Sequence, residues 1–151
     1  MKPFLALVAF SVCGMFSMSV AVADDAADVK ANTLAALAAY NAGDVNSFVT
    51  HFLPDVNGFF FDGSPLSEGF DKKALKAFYD AGFKPNLEAR QYAVTLHGNT
   101  AIVTAYFVGS LTWPGGGIQK GSWRFSETQI KQDGKWKIAH YHLSPLDAAP
   151  R

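Results

Sequence analysis

Glu127 is the side chain best placed by type and spacing to do chemistry. Strand-like alternation puts it on one face with Trp123 and Phe125, so its carboxyl would sit among aromatic rings. Taking a carboxyl out of water disfavours its charged form and raises its pKa toward neutrality, where it can both accept and return a proton. The competing reading is a structural acid at the rim of the fold, or one paired with Arg124 or Arg90, because ion-paired carboxylates on sheets are also perturbed. His140 and His142 fall two apart in one strand, which predicts one face shared with Trp136, Ile138 and Ser144. Two imidazoles invite a metal, but zinc wants a third ligand. No His or carboxylate spacing marks one, and His51 and His97 stand isolated, so no metal or other cofactor is expected. Ser144 has no Ser-His-Asp grouping around it, and Asp62 and Asp80 are explained by turn formation and solvation.

These residues need elements to hold them. Asp25 to Asn41 is rich in Ala and Leu, with Val29, Thr33, Leu37 and Tyr40 near helical spacing and Gly43 as a left-handed stop. Asp44 then caps a second short helix, predicted to carry Val45, Phe48, Val49, Phe52 and Leu53 before Pro54 ends it. Residues 58–68 combine aromatic residues with an Asp62-Gly63 turn and suggest a hairpin. Asp71 caps a third helix, with Ala74, Leu75, Phe78 and Tyr79 as its buried stripe and Gly82 as its end. The period then changes to two. Four strands are expected at Leu87–His97, Thr100–Trp113, Ile118–Lys131 and Lys135–Leu143. The second is apolar on both sides, with Val103, Ala105, Phe107 and Leu111 opposite Ile102, Tyr106 and Val108. Helices covering one face and a second copy of the chain covering the other account for that pattern, so a homodimer through the sheet is expected.

A length of 151 residues with 49% hydrophobic content suits one domain with one core. Met1 to Ala23 reads as a secretory leader: Lys2, an apolar run from Phe4 to Val20, and a small-x-small site at Ala21-Val22-Ala23. The run is at the short end of the roughly 20 residues a spanning helix needs, and acids follow it directly. A periplasmic or secreted chain over 24–151, free of the membrane after cleavage, is therefore expected. Cys13 is the single cysteine and lies in the leader, which excludes disulfides and cysteine chemistry from the mature chain. Basic and acidic residues balance at 13 each with no basic run, so nucleic acid is not an expected partner.

Three motifs carry a likeness: Asn41-Ala42-Gly43-Asp44 between helices, Leu66-Ser67-Glu68-Gly69-Phe70-Asp71 before the third, and the turn-plus-strand DGKWKIAHYHLS from Asp133 to Ser144. With them the chain resembles the nuclear-transport-factor-2-like, or SnoaL-like, superfamily. Its likeness is greatest to the association (hub) domain of calcium/calmodulin-dependent protein kinase II and its bacterial single-domain relatives. The resemblance implies an α+β fold, a cone-shaped curved antiparallel sheet with three N-terminal helices packed on its concave face. It also implies oligomerisation and a pocket between helices and sheet, with Phe48, Phe52, Tyr79, Phe107, Trp123 and Leu143 as candidate lining residues. It implies packing and hydrogen-bonding roles for His140 and His142. These 151 residues contain no kinase domain, so calmodulin regulation is not expected to carry over.

Arginines lie deep in the hub pocket, and their positions match Phe107, Glu127 and Leu143 here. None is basic, which implies a ligand that is neutral, apolar or cationic rather than a carboxylate. Three functions fit the resemblance: an exported module binding a small neutral or hydrophobic molecule, an enzyme, or an oligomer whose cavity is filled by side chains. The enzyme would be of isomerase, cyclase or dehydratase type, with Glu127 as acid/base and Tyr141 assisting on a small hydrophobic carbonyl compound.

Overall fold

The computed structural model describes residues 17–146, with side chains from Asp24 onward. Most of the expected leader lies outside the described residues. α1 (Ser17–Ala42) starts earlier than expected and runs without a Gly or Pro. It buries Val29, Thr33, Ala36 and Leu37, a stripe at i, i+4, i+7 and i+8 that faces the sheet. Asp25, near its start, accepts from Lys131 Nζ and from Trp136 Nε1 at 3.2 Å, which ties the helix to two strands.

α2 (Val45–Val49) is capped by Asp44, whose side chain accepts from Ser47 N. It is shorter than expected. Phe52 and Leu53 belong instead to β1 (Phe52–Phe59), because pairing with the last strand outweighs their helical spacing. β2 (Ser67–Glu68) pairs antiparallel with β1 across the Asp62-Gly63 turn, forming the expected hairpin. α3 (Lys72–Asp80) is capped by Asp71, which accepts from Lys73 N and Ala74 N. Its stripe is only half-buried and Ala74 is exposed, since the helix lies at the margin of the core rather than across the sheet.

β3 (Lys84–His97), β4 (Thr100–Thr112), β5 (Ile118–Gln132) and β6 (Lys135–Pro145) form the expected antiparallel meander. The six-stranded order is β2-β1-β6-β5-β4-β3, and β1 joins β6 in parallel. The result is an α+β fold with a curved, unclosed sheet and helices on its concave face.

Two bulges shape that sheet. In β3 the register shifts between Arg90 and Ala93, and Gln91 takes φ +50°. In β6 Ala139 is the extra residue, with Ile138 opposite Gln129 and His140 opposite Thr128. An extra residue reverses the facing of everything beyond it and bends the strand. Trp136 and Ile138 point inward, and then Tyr141 and Leu143 do. His140 and His142 therefore do not share the face of Trp136 and Ile138 as expected. They lie on the outer side beside Phe59, with His140 Nδ1 2.6 Å from Asn57 Oδ1.

Candidate functional site

β5 is unbroken, so the alternation from Trp123 carries through Phe125 to Glu127 and Gln129 on the concave face. Glu127 is 2% exposed. Across the ladder its Cα partners are Val103 on β4 and Tyr141 on β6. Neither expected arginine reaches it: Arg124 donates to the Pro145 carbonyl at 2.8 Å, and Arg90 pairs with Glu88 at 3.0 Å. The ion-pair reading of Glu127 is thereby corrected.

Its partners are neutral instead. Thr33, on the buried stripe of α1, donates to Glu127 Oε1, and Gln129 Nε2 donates to the same oxygen at 2.6 Å. Thr33 has one hydrogen, so it accepts from the Tyr92 hydroxyl at 2.8 Å, while Gln129 Nε2 lies 2.9 Å from its oxygen. The β3 bulge turns Tyr92 inward to make this contact, as the β6 bulge does for Tyr141. Oε1 is thus saturated by two donors, while buried Oε2 has no protein partner. Burial pushes the Glu127 pKa up to about 7, against the opposing pull of the Thr33 and Gln129 hydrogen bonds. A proton on this group belongs on Oε2.

A cavity of about 70 Å³ lies between α1, α2 and the sheet. That is more than a single water needs. Glu127, Tyr141, Phe48, Phe52, Phe107 and Leu143 all line it, so the structure brings most of the expected site residues together. Thr33, Tyr40, Phe60, Phe70 and Phe125 complete much of the wall. Phe107 stacks on Phe125 with centroids 4.2 Å apart, and Phe70 stacks on Tyr141 at 5.9 Å.

Two expected lining residues lie elsewhere. Tyr79 donates to the Tyr40 carbonyl at 2.6 Å and packs edge-on against that ring, behind the wall. Trp123 belongs to the core beside Phe61, centroids 5.9 Å apart.

The Tyr141 hydroxyl is buried with the Ser67 side chain beside it; burial raises its pKa, and Ser67 opposes that shift. Among the described residues no group of three or more His, Cys, Asp or Glu converges as a metal site, and no helix is long and apolar enough to cross a membrane. Gln129, Tyr92, Asn32 and His51 were not singled out from sequence as parts of this site. Only Gln129 carried a signal, two residues beyond Glu127 on the same face.

A curved sheet, three helices and an inner carboxyl over an aromatic cavity define a class, and sequence comparison agrees. Residues 29–148 match the SnoaL-like domain, and the chain belongs to that family. No curated protein matches by sequence. Among solved structures, a ketosteroid isomerase-like protein from Erwinia carotovora atroseptica is similar at 20% identity with a TM-score of 0.67, covering 83% of this chain and 98% of that one. A candidate dehydratase of the nuclear-transport-factor-2-like family from Streptomyces avermitilis is similar at 20% identity and TM-score 0.70, covering 84% and 99%. The hub of calcium/calmodulin-dependent protein kinase II from S. rosetta is similar at 25% identity and TM-score 0.64, covering 80% and 95%. The first two likenesses are of fold.

Proposed function

We propose that the chain is an exported binding protein for small, uncharged, mainly apolar molecules, held in the cavity by Glu127 and Tyr141. One observation carries this reading: Glu127 Oε2 is buried without a protein partner in a residue lining an otherwise apolar cavity, and Tyr141, whose buried hydroxyl has the Ser67 side chain beside it, lines the same cavity. An unsatisfied buried polar atom costs about 1–3 kcal/mol. A ligand bearing a hydroxyl or carbonyl relieves that cost, and cross-strand register sets the two residues opposite each other on β5 and β6. No basic side chain lines the cavity, which argues against a carboxylate ligand.

A second reading is favoured by the titration of Glu127 near 7. As a carboxylate it would take a proton from the carbon beside a ligand carbonyl, while Tyr141 donates a hydrogen bond to the carbonyl oxygen. Returning that proton to a different carbon completes an isomerisation. The likeness to a ketosteroid isomerase-like protein and a candidate dehydratase supports this reading. Export rests on the leader-like residues 1–23. Self-association rests on exposed Ile102 and half-buried Tyr106 and Val108 on the outer sheet face, and on the likeness to a hub.

The test is native mass spectrometry of the mature chain, Asp24 onward, incubated with neutral aromatic ketones and phenols. The expected spectrum is a dimer taking up one molecule per subunit. Glu127→Gln turns a nitrogen toward the cavity, because its oxygen must still accept from Thr33 and Gln129, and Tyr141→Phe deletes the second anchor. Each change should weaken uptake about tenfold. Equal uptake by wild type and both variants would remove the binding reading.

A further inference from the structure

The hydrogen bonds behind Glu127 have a fixed direction that can be followed to the surface. The Val29 carbonyl can only accept, so the Gln129 amide nitrogen faces it at 3.1 Å and faces Glu127 Oε1 at 2.6 Å. Gln129 Oε1 is thereby turned toward Asn32. Asn32 must present its own nitrogen there, at 3.0 Å, and the His51 carbonyl 3.4 Å from that nitrogen reinforces the choice. Asn32 Oδ1 is left facing His51 Nδ1 at 2.7 Å, so that ring nitrogen carries the hydrogen.

We propose that His51 is a positioning residue for Glu127, acting through Asn32 and Gln129 so that every donor in the chain points toward the carboxyl. The inference rests on Glu127 being the polar anchor of the cavity. Aligned hydrogen bonds polarise one another, and their sum falls on Oε1. The chain stabilises the carboxylate and leaves Oε2 as the atom that meets a proton or a ligand. Without the His51 donor, Asn32 Oδ1 loses its partner and the polarisation passed through Asn32 and Gln129 to Oε1 weakens, while the Val29 carbonyl still holds the Gln129 nitrogen toward Glu127.

The other groups around the chain do not compete with it near neutrality. Tyr40 and Tyr141 line the cavity with Glu127, and Tyr92 reaches it through Thr33; burial raises all three phenols further. Lys30 stands 5.6 Å over the Tyr92 ring, away from the carboxyl. Burial first, and the charge of Lys137 second, lower the His51 pKa and favour its neutral, single-donor form.

The experiment is a carboxyl-carbon NMR titration of Glu127 in the ligand-free mature protein, comparing wild type with His51→Phe, His51→Asn and Asn32→Leu. His51→Phe keeps a ring but no donor, and should raise the Glu127 midpoint by about half a pH unit or more. His51→Asn places an amide nitrogen where Nδ1 was, and should restore the wild-type midpoint. Asn32→Leu breaks the next link and should shift the midpoint in the same direction as His51→Phe, which covers the case where the His51→Phe chain does not fold. An unchanged midpoint in the folded donor-less variants, or an equal shift in His51→Asn, overturns the proposal. The titration needs no ligand, so failure of the binding reading is separately visible in the uptake measurement.

Discussion

At Glu127 the protein treats two chemically equal oxygens differently. Oε1 receives Thr33 and Gln129, while Oε2 is buried without a protein partner. Burial outweighs the two hydrogen bonds, so the folded chain holds a proton to about 7 that an ordinary carboxyl releases near 4.5. A folded-state pKa above the unfolded value means that the native state binds more protons across that window. The stability from this group is therefore fully present below the unfolded pKa and is lost as pH rises through about 7. Glu127→Gln carries no such titration. In urea unfolding, its stability relative to wild type should grow by about 1–3 kcal/mol between pH 4.5 and 8. A difference that stays constant with pH would show that Glu127 is ionised and solvated in the fold.

At the scale of elements, the two bulges build the site. They turn Tyr92 and Tyr141 inward on strands whose simple alternation would have placed them differently. β1 then runs beside β6 with Gly58 opposite Tyr141. A Cβ there would meet the Tyr141 carbonyl oxygen at 2.5 Å and its ring at 2.6 Å. Gly58→Ala should cost about 1–3 kcal/mol in thermal or urea unfolding, because strand backbone and a packed ring must both move. Gly117→Ala, with nothing within 4 Å, is the control and should change stability by under about 0.5 kcal/mol. Equal effects of the two changes would mean that β1 does not pack on Tyr141 as described.

This is also where sequence reading reached its limit. Continuous alternation along β5 made Glu127 and its aromatic face legible, and the helix caps Asp44 and Asp71 were legible from residue type. The bulges were not, because neither Gln91 nor Ala139 is a residue that marks one. The facing of His140 and His142 was misread for that reason. Phe52 was misassigned because its helical spacing competes with a parallel pairing to a strand more than 80 residues later, which local pattern does not reveal.

For the molecule as a whole, the two sides of the sheet have separate tasks. The concave side, covered by α1 and α2, holds an aromatic-lined cavity with Glu127 and Tyr141 in its wall. The outer side leaves Ile102 45% exposed, with Tyr106 and Val108 half-buried, and is the surface we assign to a second copy. Family membership is compatible with binding, assembly or isomerase chemistry, so the cavity rather than the fold must decide among them. The three positions to which the hub resemblance pointed, Phe107, Glu127 and Leu143, all line the cavity. The lining of the cavity was thus legible in part through resemblance. The central claim is that burial of its carboxyl keeps Glu127 near half-protonation at neutral pH. Its most direct test is the carboxyl-carbon titration of Glu127 in the wild-type chain from Asp24 onward. The account predicts a midpoint of about 7, and a midpoint at the ordinary carboxylate value near 4.5 would contradict it.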